Sequence, residues 1–136
     1  MLSLTEETWL QMVGHAYDGL PEEACGLLAG RIVADPKVEV FYPCRNAAAS
    51  SRIYTVDSGD VLRADRDAEG RGLELIGVMH SHTHTDAYPS PTDVVLAPDP
   101  SWHYLIVSLR EAEPVVRSYR IVRGEVTEEA VALSRR

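Results

Sequence analysis

A chain of 136 residues, 45% apolar and 25% charged, has the make-up of one globular domain that buries roughly two-thirds of its unfolded surface. Its formal charge of −8, with arginines scattered among acids, excludes a nucleic-acid binder, which needs clustered Lys and Arg. Apolar runs too short to cross a bilayer, the acidic Thr5-Glu6-Glu7 where a signal peptide would be basic, and only two cysteines, Cys25 and Cys44, lead us to expect a cytoplasmic chain with reduced thiols and no membrane partner.

Ser3-Leu4-Thr5-Glu6 has the form of a capping box, and Trp9, Val13, Ala16, Tyr17 and Leu20 follow at helical spacing. Asp18-Gly19 and Pro21 end that helix. Residues 24–29 and 38–42 read as antiparallel neighbours joined across a turn at Asp35-Pro36. Within the first of them Cys25 reads as a small buried hydrophobe rather than a nucleophile or ligand. Residues 58–68 carry a weaker helical stripe at Val61, Leu62 and Ala64 or Asp65, and Arg63, Asp65, Arg66 and Asp67 make a solvated face. The run 73–79 is apolar and partly β-branched, a largely buried strand that ends in His80-Ser81-His82. Ser90 before Pro91 opens a short helix, with Ser at the N-cap and Pro at the first helical position. Strands follow at 104–109 and 115–122, while 126–133 is compatible with strand or helix. With no repeat and no low-complexity linker, the order is that of a single α+β domain over residues 1–136.

On a strand, side chains two residues apart leave on one face, so His80 and His82 point the same way at the strand's end. Asp93 follows eleven residues after the second histidine. Two imidazoles and one carboxylate form the protein ligand set of a catalytic zinc site, whose fourth position stays open for water. Iron or manganese suits such a set less well. Asp93 has a competing explanation as the capping-box acid of the helix that Ser90 opens. The two are compatible: strand, loop and helix start can bring all three side chains to one point. Hydrolysis also needs a base, and Glu22 and Glu23 stand before the first apolar strand. Nothing local distinguishes one glutamate from the other, and either fits an exposed turn residue.

Taken together, Pro21-Glu22-Glu23-Ala24-Cys25-Gly26-Leu27-Leu28-Ala29-Gly30, His80-Ser81-His82 and Pro89-Ser90-Pro91-Thr92-Asp93 resemble the signature of the JAMM (MPN+) metalloproteases. The resemblance implies a cytidine-deaminase-like α+β fold, a mostly antiparallel sheet flanked by helices. It implies one Zn2+ per chain on His80, His82 and Asp93, Glu23 as general base, and Ser90 as the hydroxyl that assists the oxyanion. Further segments are similar to the cysteine-releasing members of the family: Tyr54-Thr55-Val56-Asp57-Ser58-Gly59, His80-Ser81-His82-Thr83, Ala87-Tyr88-Pro89-Ser90, His103-Tyr104 and Arg117-Ser118-Tyr119-Arg120-Ile121-Val122. That likeness implies a ubiquitin-like sulfur-carrier partner ending in diglycine-cysteine, from which L-cysteine is cut in cysteine biosynthesis. Other readings are the same chemistry on another ubiquitin-like conjugate or small peptide, and a non-catalytic scaffold, against which the intact set of five residues argues.

Thr83 stands where many family members carry proline after the second histidine, in keeping with the cysteine-releasing group. His84 departs from the expected small residue; as a substrate contact, an extra ligand or an exposed loop histidine, it fits the last best. His15 and His103 carry no functional claim. Arg52 and Arg117 are candidates for the cysteine carboxylate, although each also fits a surface charge. A narrow groove would admit a diglycine tail and exclude bulkier segments, and an exposed strand edge would bind it by strand addition.

Overall fold

The apolar run that ends in the two histidines forms β4 (Glu74–His82), buried without a break from Ile76 onward. The computed structural model describes all 136 residues. β4 sits inside a six-stranded sheet with β2 (Cys25–Gly30) and then β3 (Val40–Cys44) on one side. On the other side lie β5 (His103–Ser108), β6 (Val115–Val122) and β7 (Glu125–Glu129). Covered on both faces, β4 and β5 lack the polar alternation of a half-solvated strand. The β4–β5 pair is parallel and the other pairs of this sheet are antiparallel, which makes it a mixed, mostly antiparallel α+β sheet. Gly77 lets β4 lie against β5, because any Cβ there would collide with the His103 carbonyl.

Side-chain parity along β4 assigns its residues to two cores. Met79 joins Leu2, Leu4, Met12, Leu28 and Leu105 beneath α1 (Glu6–Asp18). Val78 joins Leu27, Tyr104, Ile106 and Tyr119 on the opposite face, together with Ala64 of α2 (Ser58–Gly70). His80 and His82 share the parity of Val78 and so project toward this second face. The short helix α3 (Pro91–Leu96) follows them in the chain.

Several sequence expectations shift. Helix α1 begins two residues later than the Ser3 capping box implied, with Thr5 as N-cap, its hydroxyl accepting from the Thr8 N–H at 3.1 Å. The reason is tertiary: β1 (Leu2–Thr5) pairs in parallel with β8 (Val131–Ser134), which holds residues 2–5 extended. The buried face of α1 is Thr8, Met12, Val13 and Ala16, and Tyr17 and Leu20 lie 44% and 45% exposed. Leu62 of α2 is likewise exposed, and Ala64 and Ala68 carry its contact with the sheet. The ambiguous C-terminal stretch is strand. β6 turns into β7 through Arg123 and Gly124, both at positive φ, as a two-residue hairpin requires. No helix is long and apolar enough to cross a membrane.

Candidate active site

The antiparallel register between β2 and β4 pairs Cys25 with His80. It continues one step past the end of β2: Ser81 N–H donates to the Ala24 carbonyl at 2.9 Å, and the Ser81 hydroxyl accepts from the Ala24 N–H at 2.8 Å. One further step sets Glu23 opposite His82, on the face that carries both histidines. Ser81 thus clamps the glutamate segment to the histidine strand from the other face. Asn46 holds the same segment from the side. Its amide donates to the carbonyls of Glu23 and Ile53 at 3.0 and 3.1 Å, and its Oδ1 accepts from the Ala48 and Thr55 N–H groups, both at 3.0 Å.

Ser90 caps α3, its hydroxyl accepting from the Asp93 N–H at 3.0 Å, while Asp93 Oδ2 accepts from the Ser90 N–H at 2.8 Å. The capping box is real, and it also delivers the carboxylate. Asp93 Oδ2 lies 3.1 Å from His80 Nε2 and 3.0 Å from His82 Nε2, and the two Nε2 atoms are 3.1 Å apart. All three residues are buried. Loop 83–89 fixes the second imidazole. The carbonyl of Asp86 can only accept, so His82 Nδ1 donates to it at 2.7 Å and turns Nε2 toward Asp93. Tyr54 stacks on His80 with ring centroids 4.3 Å apart.

The charges follow from these contacts. Burial opposes ionisation of Asp93, but hydrogen bonds from His80 and His82 outweigh it and hold the carboxyl far below its ordinary range. Burial dominates at His80 and lowers its proton affinity; at His82 burial is outweighed by Asp93 and the Asp86 carbonyl, and the affinity rises. Three lone-pair donors, one of them a carboxylate, therefore converge on one buried point. Two imidazole nitrogens and a carboxylate oxygen at this spacing fit a divalent metal, and the donor set suits zinc. Glu23 is buried with Oε1 unpartnered, and burial raises its carboxyl to about 7, with His82 opposing the rise and Asp93 adding to it. The thiols of Cys25 and Cys44, both free, are pushed up by burial to about 12 and 11, so neither is a nucleophile at neutral pH.

Glu23, His80, His82, Ser90 and Asp93 are thus brought together from positions seventy residues apart in the sequence. Glu22, the other candidate base, is exposed. His84 is outside the ligand cluster and exposed, its Nδ1 2.7 Å from the Thr83 hydroxyl. The supports Asn46, Tyr54 and Ser81 were given no role from the sequence: Asn46 and Tyr54 lie outside any helix or strand and carry no spacing signal, and Ser81, between the two histidines on β4, leaves on the opposite face. Two cavities reach the centre. One, of about 400 Å³, reaches Asp93 and is walled by apolar side chains including Leu27, Val56, Leu96 and Trp102. The other, of about 430 Å³, reaches Glu23, His82 and Ser90 and has no apolar lining.

The ends of two interior strands, a loop and a helix start bring two imidazoles, a carboxylate and a buried glutamate to one cleft, an arrangement compatible with a metal-dependent hydrolytic centre. The family model for prokaryotic homologs of the JAB domain matches residues 5–122. The chain is 47% identical over 121 residues to the CysO-cysteine peptidase of Mycobacterium tuberculosis, covering 88% of this chain and 82% of that protein. It is 35% identical over 112 residues to the desampylase of Haloferax volcanii, covering 79% and 80%. A Desulfitobacterium hafniense protein solved in solution superposes with a TM-score of 0.93 at 40% identity, over 100% of this chain and 94% of that one. A JAB1/MPN domain protein from Archaeoglobus fulgidus shares the fold at a TM-score of 0.66 and 16% identity, over 98% and 97%. The chain therefore belongs to the JAB/MPN family of hydrolases.

Proposed function

We propose that residues 1–136 act as one cytoplasmic catalytic domain, a zinc-dependent peptidase that cuts the C-terminal cysteine from a ubiquitin-like sulfur carrier and releases L-cysteine for cysteine biosynthesis. The substrate class rests on the 47% likeness to a CysO-cysteine peptidase, and the chemistry rests on the convergence of His80, His82 and Asp93 beside Glu23. A zinc ion on those three ligands would supply the Lewis acidity that makes water acidic near neutral pH and polarises the scissile carbonyl. Glu23 takes the proton of the attacking water and hands it to the departing cysteine amine. Burial raises its proton affinity, the direction that suits a group that must both accept and return a proton. Ser90 accepts from the Asp93 N–H, so its own O–H remains to donate to the oxyanion of the tetrahedral intermediate. Asp86 and Tyr54 hold the imidazoles in place.

A carrier–glycine–glycine–cysteine adduct incubated with zinc-loaded wild type should lose one cysteine by mass spectrometry. Glu23→Ala should keep its bound zinc and slow the cut by roughly 100- to 10,000-fold. Zinc bound stoichiometrically with the adduct intact would redirect the search to other ubiquitin-like conjugates, a reading favoured by the desampylase likeness. An intact adduct and no bound metal would leave a non-catalytic scaffold.

A further inference from the structure

We propose that Arg52 binds the α-carboxylate of the amino acid that hydrolysis releases, so the site takes conjugates whose leaving amine belongs to a free C-terminal residue. An amine on a lysine side chain of a second protein offers no such group. The inference rests on the carrier-hydrolase reading above and names the subsite that selects its leaving group.

The polar cleft of about 430 Å³ runs from Glu23, His82 and Ser90 to Arg52, Thr83 and His84. Arg52 is exposed, and its guanidinium forms no ion pair or hydrogen bond within the chain; only its backbone N–H is engaged, donating to Ser50 Oγ at 3.0 Å. Arg31, Arg45, Arg63, Arg71 and Arg110 pair with acids, and Arg52 is the one arginine that lines this cleft. Arg117, the other sequence candidate, is 3.0 Å from Glu128 on the neighbouring strand and does not line the cleft. The segment that carries Arg52 is built into the site: the Ser50 carbonyl accepts from the Glu23 N–H at 2.8 Å, and the Thr83 hydroxyl donates to the Ser51 carbonyl at 3.4 Å.

Charge gives the reason for a cation here. The chain carries −8 overall, and Glu23 is the one acid in this cleft. A leaving group with its own carboxylate would be repelled by Glu23 unless a cation met it. A guanidinium presents paired donors in the plane that a carboxylate accepts. The apolar cavity that reaches Asp93 offers no charge of that kind and suits the carrier side of the scissile bond.

The test compares the carrier–glycine–glycine–cysteine adduct with the same adduct ending in a carboxamide, using wild type, Arg52→Met and Arg52→Lys. Wild type should favour the acid by roughly 10- to 100-fold in kcat/KM, the range for a hydrogen bond to a charged group. Arg52→Met should cut the acid only as fast as the amide, with its rate on the amide unchanged, and Arg52→Lys should fall between. Equal cutting of acid and amide by wild type, or an equal slowing of both by Arg52→Met, overturns the assignment. If wild type cuts neither adduct, the carrier reading fails, and binding still decides the subsite. In NMR titrations, S-methyl-L-cysteine but not its amide should shift the Arg52 side-chain signals; no shift with either would sink the proposal.

Discussion

Asp93 Oδ2 accepts from the Ser90 backbone N–H and also stands within 3.1 Å of both imidazoles, so one atom closes the helix cap and completes the cluster with His80 and His82. Glu23 is the costly member of the centre. In the metal-free chain its carboxyl holds a proton up to about pH 7, whereas the unfolded chain gives that proton up near its ordinary value of 4.5. The folded state binds more protons between these limits, so stability falls as pH rises through them. Metal-free Glu23→Gln should therefore match wild type at pH 4 and exceed it by about 3 kcal/mol at pH 8, read from urea titrations at the two pH values. Equal stabilities at pH 8 would remove burial as the source of the shift. Asn46 is the opposite case, a polar side chain satisfied on every side. Asn46→Ala should cost about 2–4 kcal/mol, because the Glu23 and Ile53 carbonyls and the Ala48 and Thr55 N–H groups lose their partner. Its thermal midpoint should drop, and activity at low temperature should fall as Glu23 loses its tether.

At the scale of elements, α3 spans only Pro91–Leu96, too short to hold itself, and depends on its cap. Structural and chemical duties of Ser90 can be separated there. Glycine at an N-cap costs only a few tenths of a kcal/mol relative to serine, but it has no hydroxyl. Ser90→Gly should leave the melting temperature and metal content nearly unchanged while lowering kcat by roughly 100-fold or more, the scale for losing one oxyanion donor. A kcat close to wild type would confine Ser90 to capping. Element by element, what was legible in the sequence follows period. The His-x-His pair reads directly as one face of a strand, and Ser90-Pro91 as a helix start. The start of α1 misled because Ser3-x-x-Glu6 is a sound local cap that loses to Thr5 once residues 2–5 pair with β8. Helix α1 is fastened by His15, whose Nε2 donates to the carbonyls of Cys25 and Cys44 at 2.8 and 3.2 Å, a contact no spacing could have announced.

Over the whole molecule, Glu129 ties the far side of the sheet together. From the end of β7 it accepts from His103 Nδ1 on β5 at 2.6 Å and from the Ser118 hydroxyl on β6 at 2.8 Å, with the N-terminal amine 3.6 Å away. Burial opposes its ionisation, but the His103 and Ser118 hydrogen bonds outweigh it and lower the carboxyl. The stabilisation is therefore present above the ordinary glutamate range and is lost as pH falls through the lowered value. Glu129→Gln should destabilise the protein by about 1–2 kcal/mol at pH 7 and flatten the acid limb of its stability profile, measured by thermal melts from pH 2 to 7. An unchanged acid limb would assign acid unfolding to other carboxylates.

The family and the α+β class were legible in the amino-acid sequence, and so were two local patterns, a strand end with alternating histidines and a capped helix start; Glu23 was set apart from Glu22 only by the resemblance, because no local signal separates two adjacent glutamates before an apolar strand. Contacts between distant segments decided the rest. The β2–β4 register set Glu23 opposite His82, the Asp86 carbonyl turned the His82 ring, and the 46–55 loop carried Asn46, Tyr54 and Arg52 to the site. Period and capping are properties of a few neighbouring residues, whereas register, ring orientation and which arginine lines the cleft depend on what the folded chain places beside them.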